Sequence, residues 1–195
     1  FLFFSSSFAT DYYYCNGKRI DLQKRYDKIA VVTNTGLYAK DYLDRQIESM
    51  LFSEDSIKSD DNFYLINFAP DKSFSKVQVY LERFSKRPDI IKFVTYTYFG
   101  ESRRVTQIPT DEFVVRLRRI EDKTKLEILN AQNNVRVVGT ISDEKGFLLK
   151  TNFGVNKNAL ELSDIYFNTG IFEYAEPNFL IPAEGFFNWT PNDPL

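Results

Sequence analysis

The feature that most constrains the fold is an order of strand and helix patterns that occurs twice along this chain of 195 residues. Strands are marked by runs rich in β-branched and aromatic residues, and helices by apolar residues at spacings of three and four. In the first copy the patterns predict a strand, a helix, a strand, a helix and a strand over about 28–33, 39–51, 63–68, 73–86 and 90–99.

The second copy contains the same kinds of element in a similar order, with one further strand before its second helix. Its patterns predict a strand, a helix, two strands, a helix and a strand over about 112–117, 122–132, 135–141, 147–151, 159–168 and 171–177. Asp122 is placed to cap the first of these helices, and Gly170 to end the second in the left-handed conformation. Few residues are identical between the copies, so the repeat is one of element order.

The order strand-helix-strand-strand-helix-strand is that of the ferredoxin-like unit, in which both helices cover one face of an antiparallel sheet. We therefore predict an α+β protein with a first lobe over 28–110 and a second over 111–182, joined through 100–111. Each lobe should have its own sheet, and a single sheet through all strands would contradict this. Val115 and Phe172 should be buried on adjacent antiparallel strands.

The two ends of the chain differ from the lobes. Residues 1–27 are predicted to form an arm and a hairpin, because Asn16-Gly17 suits a turn that needs positive φ. The apolar and then small residues of 1–9 fit either the remnant of a secretory signal or an ordered first strand. The proline-containing segment 183–195 reads as an extended tail, and its aromatic side chains suggest that it meets a partner.

The composition excludes several classes of function. The chain has one cysteine and no histidine, so it cannot form a Ser-His-Asp or Cys-His site, and a zinc site is a poor prospect. No glycine-rich phosphate loop is present, so we expect no cofactor. The net charge of −2 gives no sign of the basic surface that binding to nucleic acid normally needs. The basic run 116–119 fits the solvated face of a strand. No segment is apolar over a length that would span a membrane.

Two strings of residues carry a resemblance to a known family. The segment Ile171–Phe179 (IFEYAEPNF) resembles the last strand of the pro-segments of subtilisin-like serine proteases. The segment Thr190–Leu195 (TPNDPL) resembles the opening of a mature catalytic domain of the thermitase type. The resemblance covers about residues 111–195, and the upstream lobe departs from the single-domain pro-segments of the family.

This resemblance implies a way of binding. In the family, the open sheet face of the pro-segment packs on two helices of the protease, and the tail adds a strand in the substrate cleft. Glu173 and Glu176 are then candidates to cap the amino ends of those helices, with Pro177 fixing a bend beside them. The alternative for both glutamates is a solvated strand position.

The resemblance also implies a maturation site. Cleavage is expected between Asn188 and Trp189, which leaves Gly185, Phe186, Phe187 and Asn188 as the product strand in the cleft. The alternative is that the two phenylalanine rings fold back on the lobe's own sheet. Asp193 would become a calcium ligand only in the mature protease, so we expect no metal in this chain.

The sequence thus predicts a non-catalytic pro-region that acts as an intramolecular chaperone and cleft-occupying inhibitor of a downstream subtilisin-like endopeptidase. We expect a monomer that is secreted, periplasmic or on the cell surface of a bacterium, with the cognate catalytic domain as its partner. Two alternatives remain open: a free-standing interaction module of the cell surface, and a small-molecule sensor with a pocket between the lobes.

Overall fold

The computed structural model describes residues 11–34, 37–48, 56–60, 62–68, 74–100, 105–141, 143–152, 154–155 and 157–182. The strands are β1 (Tyr12–Cys15), β2 (Lys18–Asp21), β3 (Gln23–Thr33), β4 (Ser56–Asp60), β5 (Phe63–Asn67), β6 (Ile91–Phe99), β7 (Thr106–Leu117), β8 (Val135–Ile141), β9 (Gly146–Thr151) and β10 (Phe172–Leu180). The helices are α1 (Leu37–Glu48), α2 (Phe74–Ser85), α3 (Lys123–Asn133) and α4 (Ala159–Phe167), with a 3-10 turn (Ile120–Asp122) before α3.

The first lobe has the strand order β4-β5-β3-β6, and each neighbouring pair is antiparallel. Alternate strand residues such as Ile29 and Val31 point to the same side, where they pack against Leu43 of α1 and Val77 of α2. These four side chains are fully buried because both helices lie on that one face. The predicted ferredoxin-like arrangement is therefore present in this lobe.

The second lobe repeats this arrangement with the order β10-β7-β9-β8, again antiparallel throughout. Val115 of β7 and Phe172 of β10 are fully buried on adjacent strands, as predicted, under Leu126 of α3 and Tyr166 of α4. The Tyr166 hydroxyl donates to Oδ1 of Asn130 at 2.8 Å, which satisfies a polar group that the core would otherwise leave unpaired. The α+β class is confirmed.

The prediction of a separate sheet for each lobe is wrong. β6 pairs with the start of β7, at Tyr98 with Gln107 and Phe99 with Thr106, so eight strands form one sheet through both lobes. The pairing is extended beyond these residues by the N–H of Gly100, which donates to the carbonyl of Val105 at 2.8 Å and so holds the start of β7 beside the end of β6. β7 therefore begins at Thr106, inside the segment that we expected to be a connection. Only the β1–β2 hairpin forms a sheet of its own among the described residues.

The amino-terminal hairpin is confirmed, with Asn16 at φ 50° and Gly17 at φ 73° between β1 and β2. Positive φ at both turn residues is what a two-residue hairpin needs. The hairpin packs beside the second lobe, where the Tyr14 ring stacks on Phe167 of α4 with centroids 4.0 Å apart. The N-terminal hairpin thus contacts a helix of the second lobe.

Two details of the helices and strands differ from the predictions. β4 occupies Ser56–Asp60, where we predicted no strand, because its polar sequence lacks the apolar alternation of a buried strand. Asp122 precedes α3 but its side chain makes no capping bond. It forms ion pairs with Arg119 and Lys125 instead, at 3.2 and 2.8 Å. Gly170 follows α4 at φ 76°, as predicted.

Candidate functional site

The strand that resembles the protease pro-segments is β10, and it pairs with β7 at the end of the second lobe's sheet. Its buried residues Phe172 and Ala175 face the helices, whereas Tyr174 is only partly buried on the opposite side. Pro177 is buried opposite Phe113. A proline cannot donate to a neighbouring strand, so this residue is tolerated because β10 has only one strand partner among the described pairs.

Glu173 lies on the surface of β10 and forms an ion pair with Arg116. The distance from Arg116 Nε to Glu173 Oε2 is 2.9 Å, and the glutamate side chain is 55% exposed. Arg116 also donates two hydrogen bonds to Asp143, at 2.7 and 2.6 Å. These bonds hold the pKa of Asp143 below its usual range. An exposed ion pair contributes at most about 1 kcal/mol, so Glu173 can exchange Arg116 for another partner at low cost.

Glu176 lies on the same strand but contacts the chain's own hairpin. Its Oε1 accepts a hydrogen bond of 2.9 Å from the backbone N–H of Asn16 in the β1–β2 turn. Burial, and secondarily the charge of Glu176, raise the pKa of the neighbouring Cys15 thiol. Glu176 therefore already caps a turn within this molecule, and its role toward a partner's helix stays a prediction.

The remaining predicted site residues lie outside the described residues. They are the proposed product strand, the cleavage position and the later calcium ligand: Gly185, Phe186, Phe187, Asn188, Trp189 and Asp193. The possible signal remnant 1–9 also lies outside them. Of the predicted binding residues, the structure thus describes Glu173, Glu176 and Pro177, and it brings them together on one strand.

The side of the second lobe's sheet that faces away from α3 and α4 is only partly buried. We call this surface the open face and define it by alternate residues of β7, β9 and β10: Glu112, Val114, Arg116, Leu148, Lys150 and Tyr174. Val114 lies directly opposite Leu148, which gives the open face an apolar centre. Lys150 donates to Glu112 at 2.8 Å at its margin. An apolar centre with a polar rim is the usual composition of a protein-binding surface.

The corresponding surface of the first lobe is buried against the second lobe. Ala30 and Leu65, which point away from α1 and α2, pack with Ile108 of β7 and with Leu180 at the end of β10. Thr97 on the same side is also fully buried. The first lobe therefore cannot offer this part of its sheet to another protein while the lobes stay packed together.

A group of charged residues holds the lobes together near this contact. Lys92 of β6 forms an ion pair with Asp111 of β7, and Lys150 of β9 lies 3.6 Å from the same carboxylate. Lys92 and Asp111 are 13% and 19% exposed, so solvent screens their pairing only weakly. No sequence pattern indicates this pairing, because the three residues belong to three different strands.

The lobes also enclose a groove of about 580 Å³ between α2 and α4, with β6 along it. Asp11, Tyr12 and Lys24 lie at one end. The hydroxyl of Tyr98 donates to Oδ2 of Asp11 at 2.5 Å, and Lys24 forms an ion pair of 3.1 Å with Oδ1. Burial and this carboxylate raise the pKa of Tyr98 far above its ordinary value. The groove was foreseen only as an unspecified pocket between the lobes.

The arginines of the basic run 116–119 lie at the end of β7 and just after it, consistent with the predicted strand surface. Arg118 Nε donates to the carbonyl of Gly170 at 3.2 Å, and Arg119 pairs with Asp122. Together with the Arg116 ion pairs, these contacts give each arginine of the run a partner within the chain. Within the described ranges, no three carboxylate or thiol side chains cluster as metal ligands would.

Comparison with known proteins gives no relative: no family model matches the chain, and no curated protein or solved structure is significantly similar to it. In the parts of the chain that the structure describes, none of the helices has the length and apolar character needed to cross a bilayer.

Proposed function

We propose that this chain is the pro-region of a subtilisin-like serine endopeptidase, and that it chaperones and inhibits the catalytic domain through the open face of its second lobe. The observation that carries this proposal is the contrast between the lobes. The sheet of the second lobe has a partly exposed face that includes β10, the strand that resembles the protease pro-segments. The equivalent part of the first lobe's sheet is covered.

The residue types of the open face support the proposed role. Val114 and Leu148 offer an apolar centre to the two protease helices, and burial of such a centre contributes roughly 25 cal/mol per Å². The charged margin would orient the complex, because complementary charges set the register of an interface. A surface that is formed before binding also lowers the entropic cost of association.

Glu173 is the better of the two candidates for capping a protease helix. It is more than half exposed, and its present partner Arg116 keeps two further bonds to Asp143 if Glu173 leaves. Glu176 would have to release the N–H of Asn16, which would then need water or another acceptor. We therefore assign Glu173 to the partner and Glu176 to the hairpin that supports β10.

In this role the tail continues from the carboxyl end of β10 into the substrate cleft of the protease. Pro182 is the last described residue, so the product strand 185–188 follows shortly after the folded lobe. An extended segment that pairs with the enzyme's own strands gains affinity from backbone hydrogen bonds and selectivity from alternate side chains. Phe186 and Phe187 would occupy successive positions on opposite sides of that segment.

The proposal is tested first on the coding sequence that follows Leu195. A reading frame with Asp, His and Ser triad motifs provides the protease for an inhibition assay, in which the chain should abolish peptidase activity at micromolar concentration. A stop codon after Leu195, or full peptidase activity in the presence of the chain, would contradict the proposal. A free-standing interaction module, which would use the same open face, would then be the better explanation.

A further inference from the structure

The groove between the lobes has walls from two helices of different lobes and a strand along its length. Leu81, Glu82 and Ser85 of α2 form one wall, and Asn158, Leu160, Glu161 and Asp164 at the start of α4 form the other. Between them lies the segment 93–96 of β6. With a volume of about 580 Å³, the groove is large enough to receive several residues of another chain.

The outer edge of β6 faces this groove and has little strand pairing. Its inner edge pairs with β3 from Ile91 to Phe99. Its outer edge pairs with β7 only at Tyr98 and Phe99. Among the described strand pairs, the outer edge over 93–97 has no partner. Unpaired N–H and carbonyl groups along a strand edge are a template for a further strand.

The walls of the groove give it a negative charge. Among the described residues that line it, four are carboxylates and one, Lys24, carries an ammonium group, which is paired with Asp11. The Glu161 carboxylate accepts the backbone N–H of Asn158 at 2.9 Å, and Asp164 accepts from Asn168 at 2.9 Å. Both donors are uncharged, so these hydrogen bonds do not neutralise the carboxylates of Glu161 and Asp164. Glu82 is exposed and forms no ion pair with any described residue.

One end of the groove already holds an ammonium group, that of Lys24. Nζ of Lys24 lies 4.6 Å from the centre of the Tyr96 ring and 3.1 Å from Oδ1 of Asp11. A cation over an aromatic face beside a carboxylate is stabilised by both. The same chemistry is available to a basic side chain that enters the groove next to Glu82 and Asp164.

We propose that this groove binds an extended basic segment of a partner protein, which adds a strand to the outer edge of β6 and directs lysine or arginine side chains toward Glu82 and Asp164. Five residues of an extended chain span roughly 17 Å, which matches the unpaired part of β6. The proposal does not depend on the role of the chain as a protease pro-region, because the open face and the groove are separate surfaces.

The first test uses fluorescence anisotropy with the full chain and a labelled octapeptide of alternating lysine and valine. The lysine peptide should bind at least roughly tenfold more tightly than an otherwise identical glutamate peptide. Glu82→Lys should weaken binding of the lysine peptide by a similar factor. Glu127→Lys, a matched charge reversal on the exposed side of α3, should leave binding within about twofold. Equal binding of the two peptides, or equal effects of the two variants, would overturn the proposal.

The second test is amide hydrogen exchange of β6. Addition of the lysine peptide should slow exchange over 93–97, and a version of the peptide with every backbone nitrogen methylated should neither bind nor slow it. If the methylated peptide binds as well as the parent, side chains alone hold it and strand addition is wrong. If the outer-edge amides of 93–97 already exchange slowly without peptide, the chain itself or a second copy covers the edge, and the proposal is also wrong.

Discussion

The side-chain amide of Asn158, which begins α4 in the second lobe, donates a hydrogen bond of 3.1 Å to the hydroxyl of Thr95 in the sheet of the first lobe. Both residues are buried. The other end of the Asn158 amide, Oδ1, accepts the backbone N–H of Glu161 and so caps the helix. One side chain thus starts α4 and fixes it against the other lobe.

Replacement of Asn158 should therefore destabilise the chain in two ways. Asn158→Ala removes the cap and the contact with Thr95, and we expect the free energy of unfolding to fall by about 2 kcal/mol. Asn158→Ser keeps an oxygen that can cap the helix but does not reach Thr95, so its loss should be about 1 kcal/mol. Urea denaturation measures both values. Equal losses in the two variants would show that the contact between the lobes contributes nothing.

The β1–β2 turn allows a test of backbone strain alone. A Cβ added at Gly17 would meet no atom within 4 Å, but the residue has φ 73°. Gly17→Ala should therefore cost about 1 kcal/mol from conformation rather than from a clash. Gly139→Ala is the matched control, since its φ is not in the left-handed region and its nearest atom would be at an ordinary 3.8 Å. Thermal unfolding that ranks Gly139→Ala as the more damaging change would contradict the assigned turn.

Asp143 should make the stability of the chain sensitive to acid. Its hydrogen bonds from Arg116 lower its pKa in the folded state below the ordinary value of 3.8. A carboxyl with a lowered folded pKa stabilises the protein fully above its unfolded pKa, and this contribution is lost as the pH falls through the folded pKa. Asp143→Asn should thus be less stable than the wild type at pH 6, and the difference should shrink toward pH 2.

The measurement is urea denaturation at a series of pH values between 6 and 2. Glu144→Gln, at the exposed neighbouring position, serves as the control and should follow the wild-type curve more closely. A constant difference between Asp143→Asn and the wild type over the whole range would show that the interaction with Arg116 does not depend on ionisation of Asp143.

Maturation of the proposed precursor should separate Asn188 from Trp189. The expectation rests on the likeness of Thr190–Leu195 to the start of thermitase-type catalytic domains. Amino-terminal sequencing of the processed protease gives the boundary directly. A mature chain that begins upstream of Gly185 or downstream of Asp193 would show that the boundary is wrong.

The sequence was informative wherever a pattern repeats within a single element. The alternation in β7 and β10 predicted the burial of Val115 and Phe172, and Asn16-Gly17 predicted the hairpin, because these signals depend only on local geometry. β4 was missed because its polar residues carry no such alternation. The predicted strand and helix order therefore led to the correct arrangement of each lobe.

Contacts between distant segments could not be predicted in the same way. Nothing in the sequence indicates that the N–H of Asn16 binds Glu176, 160 residues away, or that Ile108 covers Ala30 and Leu65. For this reason the sequence led to the prediction that β10 is a binding strand but did not indicate the covered face of the first lobe. The residues that line the groove beside β6 also could not be predicted, since its walls come from both lobes.

The most direct test of the central claim compares inhibition of the cognate protease by two variants of the full chain. The double variant Val114→Lys, Leu148→Glu replaces the apolar centre of the open face with an opposite-charge pair that can keep β7 and β9 together. Ile128→Glu changes an apolar residue that is 54% exposed on α3, on the other side of the sheet. We predict that the double variant inhibits at least roughly tenfold more weakly than the wild type, while Ile128→Glu inhibits as the wild type does. Equal inhibition by both variants would show that the open face is not the surface that binds the protease.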